Sequence, residues 1–359
     1  MRANYGGTME KLDFLDVLRG LAVLGVVTVH TAAIGLSTST SSIALAVGAV
    51  FASGRFGVEV FFLLSGFLMC SIYESREVGA RRYLAARFFR IWPLWICFSL
   101  FWAGVYILEG NSLSSVLWGV ALAVPFLLWL SPEHFDSFLP GAWSIQIEVY
   151  CYVIFWLLRE KTASVLLSLA TIFNILAIFS SFFSLEALGL FESMRRLALN
   201  TGLNFFVLGW LIARIYKIWK TESSLTVHRL TQVMGHGWTG PFATFLWLAT
   251  FLFSPAIYGN PIDALGFSTL TVLSALALGG LRHAQAIVAY LGRRSYFIFF
   301  SHFVILYFLS SFESVVFDEP FSFVATPILV VLVVVVCTLL AEISFRFFEA
   351  PLMRVARKT

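Results

Sequence analysis

Phe14 to Leu36 reads FLDVLRGLAVLGVVTVHTAAIGL, and this stretch decides how the rest of the chain is read. It is long enough for a membrane-spanning helix, which needs roughly 20 mostly apolar residues. Yet it carries Asp16, Arg19 and His30, and an ionisable group inside a span is costly and a functional hypothesis by default. At about 100° per residue, the step from Arg19 to His30 leaves the two about 20° apart on one helix face, and Asp16 shares that face. The helical rise puts His30 roughly 16 Å further into the bilayer than Arg19, near its middle or beyond. The alternative is a polar stripe that only packs against other helices, with His30 satisfied by a serine or a carbonyl. The run has no convincing small-x-small cleavage site, so it is expected to stay in the protein as a helix.

Runs of the same kind repeat along all 359 residues, of which 59% are hydrophobic, 17% aromatic and 12% charged. A soluble domain carries about a quarter charged residues and has no use for 38 Phe. Mean hydropathy is +0.88. The expected fold is an all-α, polytopic membrane helix bundle of about ten transmembrane helices. The spans fall at about 14–36, 56–73, 91–108, 141–158, 163–183, 201–219, 240–257, 264–281, 295–312 and 323–346. Together they make one membrane-embedded domain over 1–359, with no soluble appendage expected. The four cysteines form no CxxC pair and no His/Cys cluster has metal-ligand spacing, so no metal is expected.

Basic residues set the orientation. The loop after two crossings holds Arg76, Arg81, Arg82, Arg87 and Arg90, which makes it cytoplasmic. Ten spans then put Arg2, Lys11, Arg159/Lys161, Arg214/Lys217/Lys220, Arg293/Arg294 and the tail Arg354/Arg357/Lys358 on the same side. Both termini are therefore expected in the cytoplasm and the protein in the plasma (inner) membrane. An eleventh apolar stretch, Leu113–Leu130, would invert everything downstream if it crossed. It is expected to be re-entrant or interfacial, interrupted near Pro125, where protein can cover non-helical backbone. Arg195 and Arg196, in an outer loop, are the one clash. The net charge of +4 is topological, spread over short loops, so no nucleic-acid partner is expected.

Three more stretches carry polar groups in apolar surroundings. Phe56–Leu68 holds Glu59, one helical turn from Arg55, and the pair Ser65-Gly66. The bland readings are an interfacial ion pair and small residues permitting close helix contact. Gly141–Tyr152 places Ser144, Glu148 and Tyr152 on one face at i,i+4 spacing. A lone carboxylate more than a turn inside a span must be protonated, paired or in a wet cavity, and a Trp143 interface anchor does not explain it. Arg87 and Arg90, beside the start of a span, either face anionic lipid or clamp a phosphate. His302 lies within the ninth span, while His134, His228, His236 and His283 fall in or near loops and say little.

In order along the chain, these stretches resemble the acyltransferase 3 family of membrane O-acyltransferases. Asp13–Ala22 leading to His30 resembles its Arg-x10-His first helix. Phe56–Leu68 resembles Gly-Val-x-x-Phe-Phe-x-x-Ser-Gly-Phe, with Glu59 where Asp is commoner. Arg87–Pro93 resembles Arg-x-x-Arg-Ile-x-Pro, and Trp143–Glu148 resembles Trp-Ser-Leu-x-x-Glu. Leu291–Tyr296 with His302, and Ser344–Pro351, resemble the closing two helices.

The resemblance implies ten spans and transfer of an acetyl or similar acyl group from a cytoplasmic donor such as acetyl-CoA. The acceptor it implies is an extracytoplasmic or lipid-linked glycan; some members act on antibiotics or other small molecules. Larger members append a periplasmic hydrolase-like domain; without it, any second transfer step calls for a separate extracytoplasmic partner. No tightly bound cofactor is implied. On this basis His30 is the expected general base on a sugar hydroxyl. Arg19, with Arg87 and Arg90, holds the acyl-CoA donor. Glu148, and behind it Glu59, orients His30 or binds acceptor hydroxyls, with Asp16, Ser65, Ser144 and His302 in support. His30 and Glu148, entering from opposite surfaces, are expected to converge near the midplane. The rival from another class is a transporter or exporter using the same Arg, His and Glu as a relay, although no paired, broken helices recur in two halves.

Overall fold

The computed structural model describes residues 6–35, 52–73, 79–131, 134, 138–159, 163–182, 199–221, 239–253, 261–278, 281–316 and 326–358. Arg2, Arg76, Lys161, Glu186, Glu192, Arg195, Arg196 and residues 222–238 of the longest polar stretch lie outside them.

Among the described residues all regular structure is helical. The helices are α1 (Gly6–Gly35), α2 (Gly57–Tyr73), α3 (Ala80–Leu108), α4 (Leu113–Ala123), α5 (Ala142–Leu158), α6 (Ala163–Phe182) and α7 (Leu199–Thr221). They continue as α8 (Thr239–Phe253), α9 (Pro261–Leu278), α10 (Arg282–Arg293), α11 (Ser295–Val316), α12 (Thr326–Ser344) and α13 (Ala350–Lys358). A 3-10 turn, Ser53–Phe56, leads into α2, another, Leu128–Leu130, follows α4, and a π turn, Phe345–Glu349, joins α12 to α13. A helix sits on each apolar run. Five stretches are long and apolar enough to cross a membrane: Phe14–Ala33, Ser53–Tyr73, Ala80–Leu108, Ser295–Phe312 and Thr326–Arg354.

The chain packs as two compact units, Met1–Phe61 with Ala264–Lys358, and Phe62–Asp263. The boundary falls inside α2.

In the first unit, α1 is held by glycines where backbones meet. A Cβ on Gly292 would strike the Asp16 carbonyl, one on Gly20 the Val288 carbonyl, and one on Gly57 the Ala22 carbonyl. A Cβ on Gly25 would lie 3.2 Å from the Gly54 carbonyl oxygen. Small residues permit this approach, and close van der Waals packing is what drives helix association where lipid removes the hydrophobic gain. Val23 and Val27 of α1 close on Leu291, Ile298, Leu306, Val333, Cys337 and Ala341. The other face of α12 exposes Ile328, Val331, Val335 and Leu339, a surface suited to acyl chains rather than water.

In the second unit, the carbonyls of Phe206 and Leu63 lie where Gly66 and Gly209 lack a side chain, so α2 and α7 touch backbone to backbone. A buried amide pair, Asn174 and Asn204, is closed by Trp247 Nε1 at 2.6 Å and links α6, α7 and α8. The Leu113–Leu130 stretch is broken. Ser112 caps α4 by accepting from Ser115 N. The helix then stops at Ala123, and Phe126 takes a positive φ of 60°. At 11 residues, α4 rises about 16 Å, well short of a bilayer core of about 30 Å. Trp95 Nε1 reaches the Ala123 carbonyl at 2.7 Å, Trp92 Nε1 the Val124 carbonyl at 3.1 Å, and the Tyr150 hydroxyl the Phe126 carbonyl. Non-helical backbone at membrane depth needs cover of this kind.

Candidate active site

The polar residues picked out in the sequence fall into two constellations, one per unit. The first runs along α1. Asp16 and Arg19 pair at 3.7 Å, and Arg293 at the end of α10 reaches the same carboxylate at 3.6 Å. Next to it, Arg294 grips Glu342 through two nitrogens at 2.7 and 3.1 Å, while Tyr290 donates to that carboxylate at 2.6 Å and Arg346 at 2.5 Å. Burial, together with this bond to Glu342, raises the Tyr290 hydroxyl above its ordinary range. Arg293 and Arg294, read in the sequence as orienting charges, are thus also ion-paired to α1 and α12.

Three turns along α1, His30 meets α11. Its Nδ1 lies 3.1 Å from His302 Nε2, and His302 Nδ1 lies 3.1 Å from the Ile298 carbonyl. The two imidazoles stand 5.2 Å apart at 27°. Phe303 packs 4.6 Å from the His30 ring and 4.1 Å from the His302 ring. His302 is 0% exposed. The helical face seen in the sequence is therefore used: His30 meets a second histidine, and the backbone carbonyl of Val26, one turn back on α1, also acts on it. Glu59, 2% exposed, has an Oε2 with no hydrogen-bond partner. Arg55 stacks on Phe56 at 4.7 Å and forms no ion pair with Glu59 within the described residues.

The second constellation centres on Glu148 in α5, 6% exposed. Ser65 of α2 donates to its Oε1 at 2.6 Å, and the Tyr152 hydroxyl donates to the same oxygen. Two hydroxyls converging on one acceptor support a carboxylate. The Arg87 guanidinium lies 5.5 Å over the Tyr152 ring and 5.5 Å over Tyr73, donating to the Tyr73 hydroxyl at 3.1 Å. Tyr83 fixes this corner by donating to the Tyr152 carbonyl at 3.1 Å. Arg87 and Glu148 are thus joined through Tyr152, while Arg90 stands one turn further along α3, half-buried.

The Ser65-Gly66 pair divides its labour: Gly66 permits helix contact, and Ser65 serves Glu148. Ser144 instead turns back to the Gly141 carbonyl at 3.0 Å, closing the first turn of α5. Gln146, two residues from Glu148, is 0% exposed, and both atoms of its amide are without a hydrogen bond. Sequence reading passed over it, as it did Tyr83 and Glu342. Within an apolar run its polarity was the available signal. His134 is a structural tie, bonded by Ser131 at 2.7 Å and Ser115 at 3.2 Å. No group of three His, Cys, Asp or Glu side chains that could hold a metal occurs among the described residues.

Comparison with known proteins bears on this arrangement. The family described as an acyltransferase domain, acyltransferase 3, matches residues 12–342. O-acetyltransferase OatA of Staphylococcus aureus is 24% identical over 96% of this chain and 57% of its own length. YrhL of Bacillus subtilis, whose name makes it a candidate peptidoglycan O-acetyltransferase, is 23% identical over 94% of this chain and 54% of its own. The chain thus spans little more than half the length of these relatives. No solved structure matches it. With residues 12–342 matched, almost the whole length, the chain belongs to the acyltransferase 3 family.

Proposed function

We propose that this chain is a membrane-embedded O-acyltransferase. It moves an acetyl or similar acyl group from an acyl-CoA donor on the cytoplasmic side to a hydroxyl of a cell-surface or lipid-linked carbohydrate. The observation that carries the reading is the buried His30, hydrogen-bonded at one ring nitrogen on the helix that bears Arg19. The names of the relatives point to the same reaction and to an envelope glycan as acceptor.

In the reaction, the acceptor hydroxyl attacks the thioester carbonyl carbon as His30 takes its proton. The C–S bond then breaks, and the imidazolium returns a proton to the departing thiolate, leaving ester and free thiol. Arg19, Arg87 and Arg90 hold the donor's phosphates and pantetheine arm. Glu148, steadied by Ser65 and Tyr152, accepts hydrogen bonds from acceptor hydroxyls, as does the amide of Gln146. Glu59 and Asp16 support these groups. The bundle has ten spans in the plasma membrane, both termini are cytoplasmic, and Leu113–Leu130 re-enters or lies at the interface. A separate extracytoplasmic transferase completes delivery wherever a second step is needed.

The test is acetyl-CoA turnover by purified protein in lipid. Thiol release with label appearing in a glycan acceptor is the expected result. No turnover, together with flux of a solute, would replace the enzyme with a transporter. For topology, a cysteine placed at residue 220 should label from the cytoplasmic side; labelling only from outside would overturn ten spans.

A further inference from the structure

We propose that His302 is the positioning residue that fixes the tautomer of His30, leaving Nε2 of His30 as the basic atom. The inference deepens the reading of His30 as general base and rests on it for its catalytic consequence, but its structural half stands alone.

The argument follows the protons from the backbone outward. The Ile298 carbonyl can only accept, and it lies 3.1 Å from His302 Nδ1. That nitrogen must carry hydrogen, because its lone pair would otherwise face the carbonyl's. A neutral imidazole has one N–H, so His302 Nε2 bears a lone pair. His30 Nδ1 lies 3.1 Å from that lone pair and therefore donates. The single proton of neutral His30 is then on Nδ1, and its Nε2 is free to accept.

Reversing the chain would let His302 Nε2–H donate to His30 Nδ1 but would set the lone pair of His302 Nδ1 against the Ile298 carbonyl. Charging both rings would place two cations side by side where His302 is fully buried, a cost that low dielectric magnifies. Phe303 against both imidazoles and Phe299 beside His302, at 5.9 Å, hold the ring planes. In a general base the tautomer decides whether the reacting nitrogen has a lone pair to offer. A histidine held in the wrong one loses roughly 10⁴-fold in a serine-protease triad. Here a backbone carbonyl of α11 does the orienting through a neutral relay, with no carboxylate needed at that nitrogen.

The test is the proton-coupled ¹⁵N spectrum of the full-length protein in lipid nanodiscs with ¹⁵N-labelled histidine. Among the six histidines, His30 is assigned by the signals lost in His30→Gln. The expected result is a proton on Nδ1 of His30 in the wild type. It should persist in His302→Gln, whose side-chain carbonyl can accept, and give way to a mixture of tautomers in His302→Leu. Turnover should follow. His302→Leu lowers kcat between about tenfold and the ~10⁴-fold of a wrong tautomer, with the KM for acetyl-CoA held within about twofold, and His302→Gln recovers most of the loss. A wild-type spectrum with the proton on Nε2 of His30 overturns the inference by itself, even if His302→Leu fails to fold. The expected spectrum without acyl transfer would overturn the function and leave the tautomer assignment standing.

Discussion

The two buried constellations solve the same problem in opposite ways. In the unit built on α1 and α11, two neutral rings share one hydrogen bond and pass the remaining demand to the Ile298 carbonyl. In the unit built on α2 and α5, Glu148 collects hydroxyl donors from Ser65 and Tyr152 on one oxygen. A neutral relay needs direction, because each nitrogen must be either donor or acceptor. A buried carboxylate needs donors, because leaving it unpaired is costly. Glutamine therefore discriminates between them: it can stand in where an acceptor is wanted and not where a carboxylate is.

That contrast can be broken experimentally. Glu148→Gln keeps size and some hydrogen bonding but loses the acceptor-only group. A hydrogen bond to a charged partner is worth about 1.5–3 kcal/mol, so turnover should fall roughly ten- to a hundredfold. Equal tolerance of Gln at positions 148 and 302 would erase the distinction. Arg87→Lys and Arg90→Lys come next. Each keeps its charge but loses the planar fork, so the KM for acetyl-CoA should rise by several-fold, about 1 kcal/mol, with kcat little changed. Unaltered KM in both would return these arginines to a topological role.

Tyr152→Phe removes one donor from Glu148 and should cost about 1–3 kcal/mol of stability. The Tyr152→Phe/Ser65→Ala pair should be non-additive in thermal unfolding, since both serve one oxygen; strict additivity would argue against a shared acceptor. The smallest effect is expected at Gly104 in α3. A Cβ there meets nothing within 4 Å, and Gly104→Ala should stabilise by up to about 1 kcal/mol. Gly292→Ala should do the reverse, because its Cβ strikes the Asp16 carbonyl. Melting temperatures of the two variants moving together would break the account of where backbones touch.

Much of the fold was legible because a span announces itself through length and hydropathy, and each apolar run holds a helix. What escaped was α10. Its 12 residues, Arg282–Arg293, are too short and too polar to read as a span, yet it packs along α1 through Gly20 and Gly292. It also brings Arg293 to Asp16. Periodicity within one helix put Asp16, Arg19 and His30 on a shared face, and i,i+4 spacing put Tyr152 beside Glu148. Pairings between distant segments were not legible in that way. Nothing local to His302 says that its Nε2 meets His30, and Ser65 looked like a spacer until α5 supplied Glu148. The interruption near Pro125 was legible from the proline, but the Trp92, Trp95 and Tyr150 cover for its carbonyls comes from packing alone.

The most direct test of acyl transfer through His30 is the acetyl-CoA turnover of His30→Ala beside wild type, at matched expression and melting temperature. A positioned general base contributes about 10²–10⁴-fold, so the variant should fold normally and lose transfer to at least that degree. Should it keep more than about a tenth of wild-type turnover, well outside that range, His30 would be a packing residue and the catalytic assignment would be wrong.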